Sequence, residues 1–149
     1  MVHGRWLHSV CSQNDRYAYV SGGGYTLEKC KDSVERYDIL SETWTAMPKL
    51  NIGRQSHASI ATKNKVFVFC GYSCADNKAL SSIEILDTSQ QNAQNQRWQL
   101  INVLASQLSP RHGLGVAQMS DTEFAIIGGY SENSFGEEET PKNRDIHLF

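Results

Sequence analysis

The chain has 149 residues, of which 40% are hydrophobic and 20% charged, as is usual for one globular domain. Fourteen basic and sixteen acidic residues give a formal net charge of −2 without any basic stripe, which argues against nucleic acid as a partner. The apolar runs are much shorter than the roughly 20 residues of a membrane helix, and the N-terminus lacks the apolar core of a signal peptide, so we expect no membrane contact and a cytoplasmic location.

Residues 5–49 contain four short runs of strand-forming residues separated by turn residues. An Arg-x-x-His element, from Arg5 to His8, opens the first run, and the second run ends in a glycine corner followed by Tyr25. The third run reads SVERYD and the fourth carries Trp44. No segment shows a 3.6-residue apolar period over helical length, so the sequence predicts an all-β fold.

The same order of elements returns in residues 54–104, where Arg54 follows Arg5 by 49 residues. A second apolar strand runs into Gly71, and Tyr72 comes directly after it. The third run reads SIEILD and the fourth carries Trp98. Self-similarity at a fixed period of this size is typical of repeat architectures.

A third, looser copy occupies residues 111–149. It begins at Arg111, and His112 is out of register with the earlier histidines. Tyr130 follows a glycine pair, and the run DIHLF fits the third strand of the unit. No fourth strand follows, and the hypothesis is that the chain is a fragment or one part of an assembly that completes a ring.

This pattern resembles the kelch repeat. A four-stranded unit of about 50 residues is the kelch period, against about 40–45 for WD40 blades. The glycine pair after an apolar strand, Tyr37 and Trp44 beyond it, and Met47-Pro48 before the next arginine carry the likeness. The resemblance implies kelch-type β-propeller blades of four antiparallel strands in an incomplete ring. It covers residues 1–149, with blades at about 5–49, 54–104 and 111–149, the last without its outer strand.

Most repeated residues are predicted to be structural. Glycine permits the positive φ of a sharp corner, and large apolar side chains bury between adjacent blades. His8 and His57 are interpreted as structural because they recur with the repeat, and no carboxylate or thiolate recurs with them to complete a metal site. The residues predicted to be structural in the repeat are Gly22, Gly23, Gly71, Gly128, Gly129, Tyr37, Trp44 and Trp98.

The arginines and the corner aromatics are predicted to ring the mouth of the channel. In kelch domains that recognise acidic peptides, residues at such positions make the contacts. The resemblance therefore implies this set of partner-binding residues: Arg5, Arg54, Arg111, Tyr25, Tyr72 and Tyr130. The alternative is that each arginine ties down its own turn through backbone carbonyls, and that the tyrosines cap the blade edge. If the arginines bind the partner, replacing Arg54 and Arg111 by alanine weakens binding with little change in stability.

Two classes of function follow from the resemblance. The first is a protein-interaction module, for example the substrate receptor of a cullin-type ubiquitin ligase, or an actin-binding, cytoskeletal or scaffold protein. Its partner would be another protein or an acidic peptide, and further kelch blades would lie in the same or another chain. The second is a kelch enzyme such as a galactose-oxidase-like protein. No copper-ligand set, Ser/His/Asp set or paired carboxylates stand out from the repeat, so we expect neither an enzyme nor a cofactor.

The chain has four cysteines, Cys11, Cys30, Cys70 and Cys74, and their spacing forms no metal framework. An even number permits disulfides, but a reduced chain is expected. Cys70 takes the place of the first corner glycine, so the second corner is expected to be altered. Two long connections, at residues 88–97 and 131–143, are interpreted as solvated loops, including the acidic cluster at 137–139.

Overall fold

The computed structural model describes residues 4–26, 29–89, 96–104, 106–120, 123–131 and 146–148, without the side chains of Tyr25 and of residues 146–148. The described residues form strands and turns and contain no helix, which confirms the all-β prediction. In this part of the chain, no helix is long and apolar enough to cross a membrane. Most of both long connections, with the acidic cluster at 137–139, lies outside the described residues.

The first sheet is antiparallel, with the strand order β1-β2-β5-β6. A small hairpin, β3-β4, projects from the connection between β2 and β5. These strands are β1 (Ser9–Gln13), β2 (Tyr17–Ser21), β3 (Gly24–Thr26), β4 (Lys29–Cys30), β5 (Val34–Asp38) and β6 (Thr43–Met47).

The second sheet repeats this arrangement, with the order β7-β8-β11-β12 and a hairpin β9-β10 at the same connection. Its strands are β7 (Ala58–Ala61), β8 (Lys65–Phe69), β9 (Tyr72–Ser73), β10 (Lys78–Ala79), β11 (Ile83–Asp87) and β12 (Trp98–Ile101). The third sheet has the order β13-β14-β15, with β13 (His112–Gln118), β14 (Phe124–Tyr130) and β15 (Ile146–Leu148). Four-stranded antiparallel sheets of this order are the predicted kelch-type blades.

Successive side chains of a strand point to opposite faces of its sheet, and neighbouring sheets pack through the apolar side chains on the faces that meet. Tyr19 and Val34 of the first sheet share one core cluster with Val68 and Leu86 of the second. The opposite face of the second sheet, including Phe69, packs on the third sheet in another cluster. The core therefore consists of layers between sheets, as expected for stacked blades.

The glycine corners have the same backbone in all three sheets. The second corner glycine has φ of 95° at Gly23, 98° at Gly71 and 94° at Gly129. A Cβ atom on Gly71 would lie 2.9 Å from the carbonyl oxygen of Gln55, so a side chain there would collide with backbone. At the preceding position Cys70 has φ of 55°, and Gly22 has 56°. The expected alteration of the second corner is therefore wrong, because Cys70 adopts the left-handed backbone at the energetic cost that a non-glycine residue carries there.

A disulfide joins Cys30 at the end of β4 to Cys74 just after β9, at a sequence separation of 44. The expectation of a reduced chain is therefore wrong for this pair. The two hairpins project from neighbouring sheets, and stacking of the sheets brings their cysteines together. Cys11 and Cys70 are buried free thiols.

The two repeated tryptophans lie in different surroundings. Trp98 is 5% exposed, and its indole Nε1 donates to the carbonyl oxygen of Pro48, at 2.9 Å, in the linker that leaves the first sheet. Trp44 lies on the face of the first sheet that points away from the second, where it is 39% exposed, and its ring is tilted against that of Tyr37 with 5.0 Å between centroids. Only Trp98 therefore packs between two described sheets.

Replacing Trp98 by alanine should lower the free energy of unfolding by about 3–5 kcal/mol, because it removes a buried indole and leaves a cavity. The same change at Trp44 should cost much less, since this side chain keeps a large contact with water. Chemical denaturation of the two variants followed by circular dichroism measures both values. Equal losses would contradict the different burial of the two tryptophans.

Candidate functional site

Arg54 is completely buried, and most of its side-chain hydrogen bonds go to the second sheet and its corner. Its guanidinium donates to the carbonyl oxygens of Cys70, at 2.7 Å, and Ser82, and it pairs with Glu84 at 2.7 Å. It thus ties the segment that leads into β7 to the corner after β8 and to the start of β11. Burial lowers the pKa of Arg54 from its ordinary value, and the adjacent Glu84 carboxylate opposes this effect.

Arg5 occupies the equivalent position in the first sheet. It donates to the carbonyl oxygens of Gly22 and Ser33 and pairs with Glu35 at 2.7 Å, with 1% of its side chain exposed. Arg111 of the third sheet is also completely buried and donates to the carbonyl oxygen of Gly128 at 3.1 Å.

This burial corrects the expectation that Arg5, Arg54 and Arg111 face a partner at the channel mouth. Their donors bond to backbone carbonyls and hydroxyls of their own sheets, and two of them also pair with carboxylates. An arginine is stable inside a protein only when it is paired and hydrogen-bonded in this way. The three arginines therefore occupy the alternative role, in which each arginine holds its own turn through backbone carbonyls.

The sequence analysis did not single out the glutamates, although a signal was present. Glu35 follows Arg5 by 30 residues and Glu84 follows Arg54 by the same distance. The β-ladder register places His147 of β15 opposite Ile126, as Glu84 lies opposite Val68. The third sheet therefore carries a histidine at the position that is glutamate in the other two.

A continuous row of side chains lies at the corner end of the sheets, and we call it the aromatic row: Trp6, Gln55, Tyr72, His112 and Tyr130. Gln55 and Tyr72 exchange backbone hydrogen bonds of 3.0 and 2.8 Å. The His112 ring lies 5.7 Å from that of Tyr72 and 6.0 Å from that of Tyr130, both between centroids. Trp6 and Gln55 share the space above Gly24, where a Cβ atom would collide with both side chains.

The aromatic row contains two of the three tyrosines predicted from the sequence. Tyr130 is 52% exposed and Tyr72 is partly exposed. Tyr25 differs because an additional glycine precedes it, so Gly24 takes the ladder position of Tyr72 and Tyr130. The side chain of Tyr25 lies outside what the structure describes. Trp6 is 46% exposed and was not predicted; its position directly after Arg5, as Gln55 follows Arg54, was the available signal.

His57 is buried between the first two sheets. Its Nε2 lies 2.9 Å from the hydroxyl of Ser21. Burial, together with the nearby charges of Arg54 and His8, lowers the pKa of His57 to about 3. A serine hydroxyl beside an imidazole is one part of a hydrolase triad, but both side chains are buried here, so the pair links two sheets.

At the opposite end of the sheets lies a cleft of about 960 Å³. Phe67, Phe69 and Phe124 line its floor, and polar residues of the turns after β1 and β7 line its rim. The lining includes lysines but no carboxylate, imidazole or thiol among the described residues. Across the described residues, no group of three or more His, Cys, Asp or Glu is arranged to hold a metal ion.

Replacing Arg54 by alanine should destabilise the fold by about 3–5 kcal/mol, because Glu84 would remain as an unpaired buried charge. Replacing Arg16 by alanine should have a far smaller effect, since its pair with Asp38 is exposed to solvent. Urea denaturation of both variants measures the difference. A folded Arg54→Ala protein of wild-type stability would show that the buried pair is dispensable.

Stability should also depend on the protonation of His57. The pKa of His57 is about 3 in the folded protein, against its ordinary value of 6.5 in the unfolded chain. The unfolded chain therefore takes up a proton as the pH falls below about 6.5, while the folded protein does not. The free energy of unfolding should therefore fall by up to about 1.4 kcal/mol per pH unit between pH 6 and pH 4.

Urea titrations at several pH values measure this dependence. The His57→Gln protein should lack the part of the slope that one proton contributes, and the difference in the free energy of unfolding between the two proteins should be constant above pH 7. Equal slopes below pH 6 would contradict a neutral, buried His57.

Comparison with known proteins agrees with this geometry. The family model that describes the Kelch motif matches residues 6–51, which include the whole first sheet. No curated protein matches the sequence. The second sheet repeats the first in strand order, in its corner backbone and in its Arg–Glu pair. Residues 6–51 are therefore a Kelch motif, and the second sheet repeats its architecture.

Proposed function

We propose that this protein is a binding module that holds a partner protein against the aromatic row, and that it does not catalyse a reaction. Kelch repeats generally mediate protein–protein interactions. The observation that carries the proposal is that the aromatic row is a continuous, partly exposed surface that crosses from one sheet to the next.

The side chains of the aromatic row are suited to recognition. Tryptophan and tyrosine are enriched among binding hot spots, because a rigid ring offers a large contact area and one polar atom. Leu7, the residue after Trp6, is also exposed, at 52%. Backbone bridges at Trp6, Gln55 and His112 fix the main chain that carries the row, so little backbone freedom is lost on binding.

The finer chemistry of the partner follows from the burial of the arginines. An acidic peptide would need exposed cations in the row, but the row contains no lysine or arginine, and the three arginines that recur with the repeat lie inside the sheets. We therefore propose a segment with apolar or aromatic side chains as the ligand in preference to an acidic peptide. Substrate recognition for a cullin-type ubiquitin ligase is one use of such a surface, and a cytoskeletal or scaffold role is another.

Panning a phage-displayed random peptide library on the whole chain tests the surface without a known partner. Replacing Trp6 or Tyr130 by alanine should weaken the selected peptides by about 2 kcal/mol, roughly 30-fold, as loss of a central aromatic contact does. Isothermal calorimetry gives the affinities, and melting temperatures should stay near that of the wild type.

Leu40→Ala is the matched control. Leu40 is 76% exposed but lies in the turn between β5 and β6, at the other end of the first sheet. The proposal fails if the library yields no binder, or if the selected peptides bind the wild type and the Trp6 and Tyr130 variants equally well.

A further inference from the structure

The Cys30–Cys74 disulfide joins two hairpins that lie beside the aromatic row. Cys30 ends the β3-β4 hairpin of the first sheet, and Cys74 follows β9 of the second. The Cα atoms of the two residues are 5.4 Å apart. The bond is therefore a covalent link between neighbouring sheets at the end where the aromatic row lies.

The link contacts the aromatic row directly. The sulfur of Cys30 lies 3.4 Å from the carbonyl oxygen of Tyr72, and the backbone N–H of Cys74 lies 3.2 Å from the same sulfur. Tyr72 in turn exchanges backbone hydrogen bonds with Gln55 and lies against the His112 ring. A change at the sulfur atoms thus reaches the middle of the aromatic row through one residue.

The disulfide is open to small molecules, unlike the two free thiols. Cys30 and Cys74 are partly exposed, and Cys30 lines a cleft of about 310 Å³ together with Asn51, Gly53 and Ser73. The free thiols of Cys11 and Cys70 are buried. Burial raises the pKa of Cys11 to about 11 and that of Cys70 to about 12, so neither forms the reactive thiolate at neutral pH.

We propose that Cys30 and Cys74 form a reversible redox link that holds the β9-β10 hairpin, and with it Tyr72, in the position that binds the partner. This inference rests on the proposed function of the aromatic row. Exposed disulfides have higher reduction potentials than structural ones and are the labile, regulatory ones. A partly exposed pair beside a binding surface has the placement that such a role requires.

The chemistry is exchange with a small disulfide such as oxidised glutathione. The thiolate of one cysteine attacks the glutathione disulfide, forms a mixed disulfide and releases one glutathione thiolate. The thiolate of the second cysteine then attacks the protein sulfur of that mixed disulfide, which forms the Cys30–Cys74 bond and releases the second glutathione thiolate. The two protons lost by the protein thiols end on the two glutathione molecules, and reduction runs the same steps in reverse.

The first measurement needs no partner. Native protein equilibrated in glutathione buffers of different redox ratio is alkylated and analysed by peptide mass spectrometry. Oxidised protein should take up no label and reduced protein two, on Cys30 and Cys74, with full reversal between them. Amide hydrogen exchange of residues 72–80 should become faster on reduction, while exchange of residues 65–69 should stay unchanged.

The second measurement uses the library-selected peptides. If reduction lowers the binding-competent fraction to about a third to a tenth, affinity falls roughly threefold to tenfold. Cys30→Ser should bind as the reduced wild type does and should ignore the glutathione ratio. Cys11→Ala, which keeps the link, should respond to the glutathione ratio as the wild type does.

The outcomes separate this inference from the proposed function. Labelling of Cys30 and Cys74 at every glutathione ratio would overturn the redox link and leave the aromatic row untouched. A link that forms without changing hydrogen exchange or affinity would overturn its control of Tyr72. Wild-type affinity of the Trp6 and Tyr130 variants would instead overturn the proposed function, whatever the state of the cysteines.

Discussion

The buried pair of Arg54 and Glu84 is the interaction on which the second sheet depends. Its guanidinium bonds to the corner and to the start of the third strand, and its carboxylate also accepts from the backbone N–H groups of Asn51 and Ile52, at 2.7 and 3.1 Å. Those two residues belong to the linker that arrives from the first sheet. Since a buried charge tolerates no missing partner, one pair fixes the sheet, its corner and its connection to the preceding sheet.

Structural residues and residues of the aromatic row are direct neighbours in sequence. The arginine points into the sheet, and the residue after it, Trp6, Gln55 or His112, pairs with the backbone beyond the corner. The next residue has left-handed backbone in each sheet, with φ of 49° at Leu7, 52° at Ser56 and 66° at Gly113. The backbone is thus repeated while the side chains of the row vary, which lets one framework present a surface of its own composition.

The sequence was sufficient for the fold because spacing and residue type carry it. The glycine corners need positive φ, and their recurrence at a fixed period identifies stacked sheets. It was insufficient for the site, because charge does not reveal burial. Arginine is a residue type that is common in binding hot spots, but Arg54 is buried like a core residue. The Cys30–Cys74 bond was hidden for another reason: it joins hairpins of two sheets, and only stacking brings them together.

The two interfaces between the sheets are held in different ways, and this bears on the aromatic row. Both interfaces contain an apolar cluster and a backbone bond at the corner, from Gly23 to Arg54 at 2.8 Å in the first and from Gly71 to Arg111 at 2.9 Å in the second. The first interface has in addition the disulfide at the corner end, the bond from Trp98 to Pro48 at the outer strand and the Ser21–His57 contact. Apolar contact is non-directional, whereas covalent and hydrogen bonds fix orientation. Tyr72 lies where these two interfaces meet, with its carbonyl oxygen beside the disulfide and its ring beside that of His112.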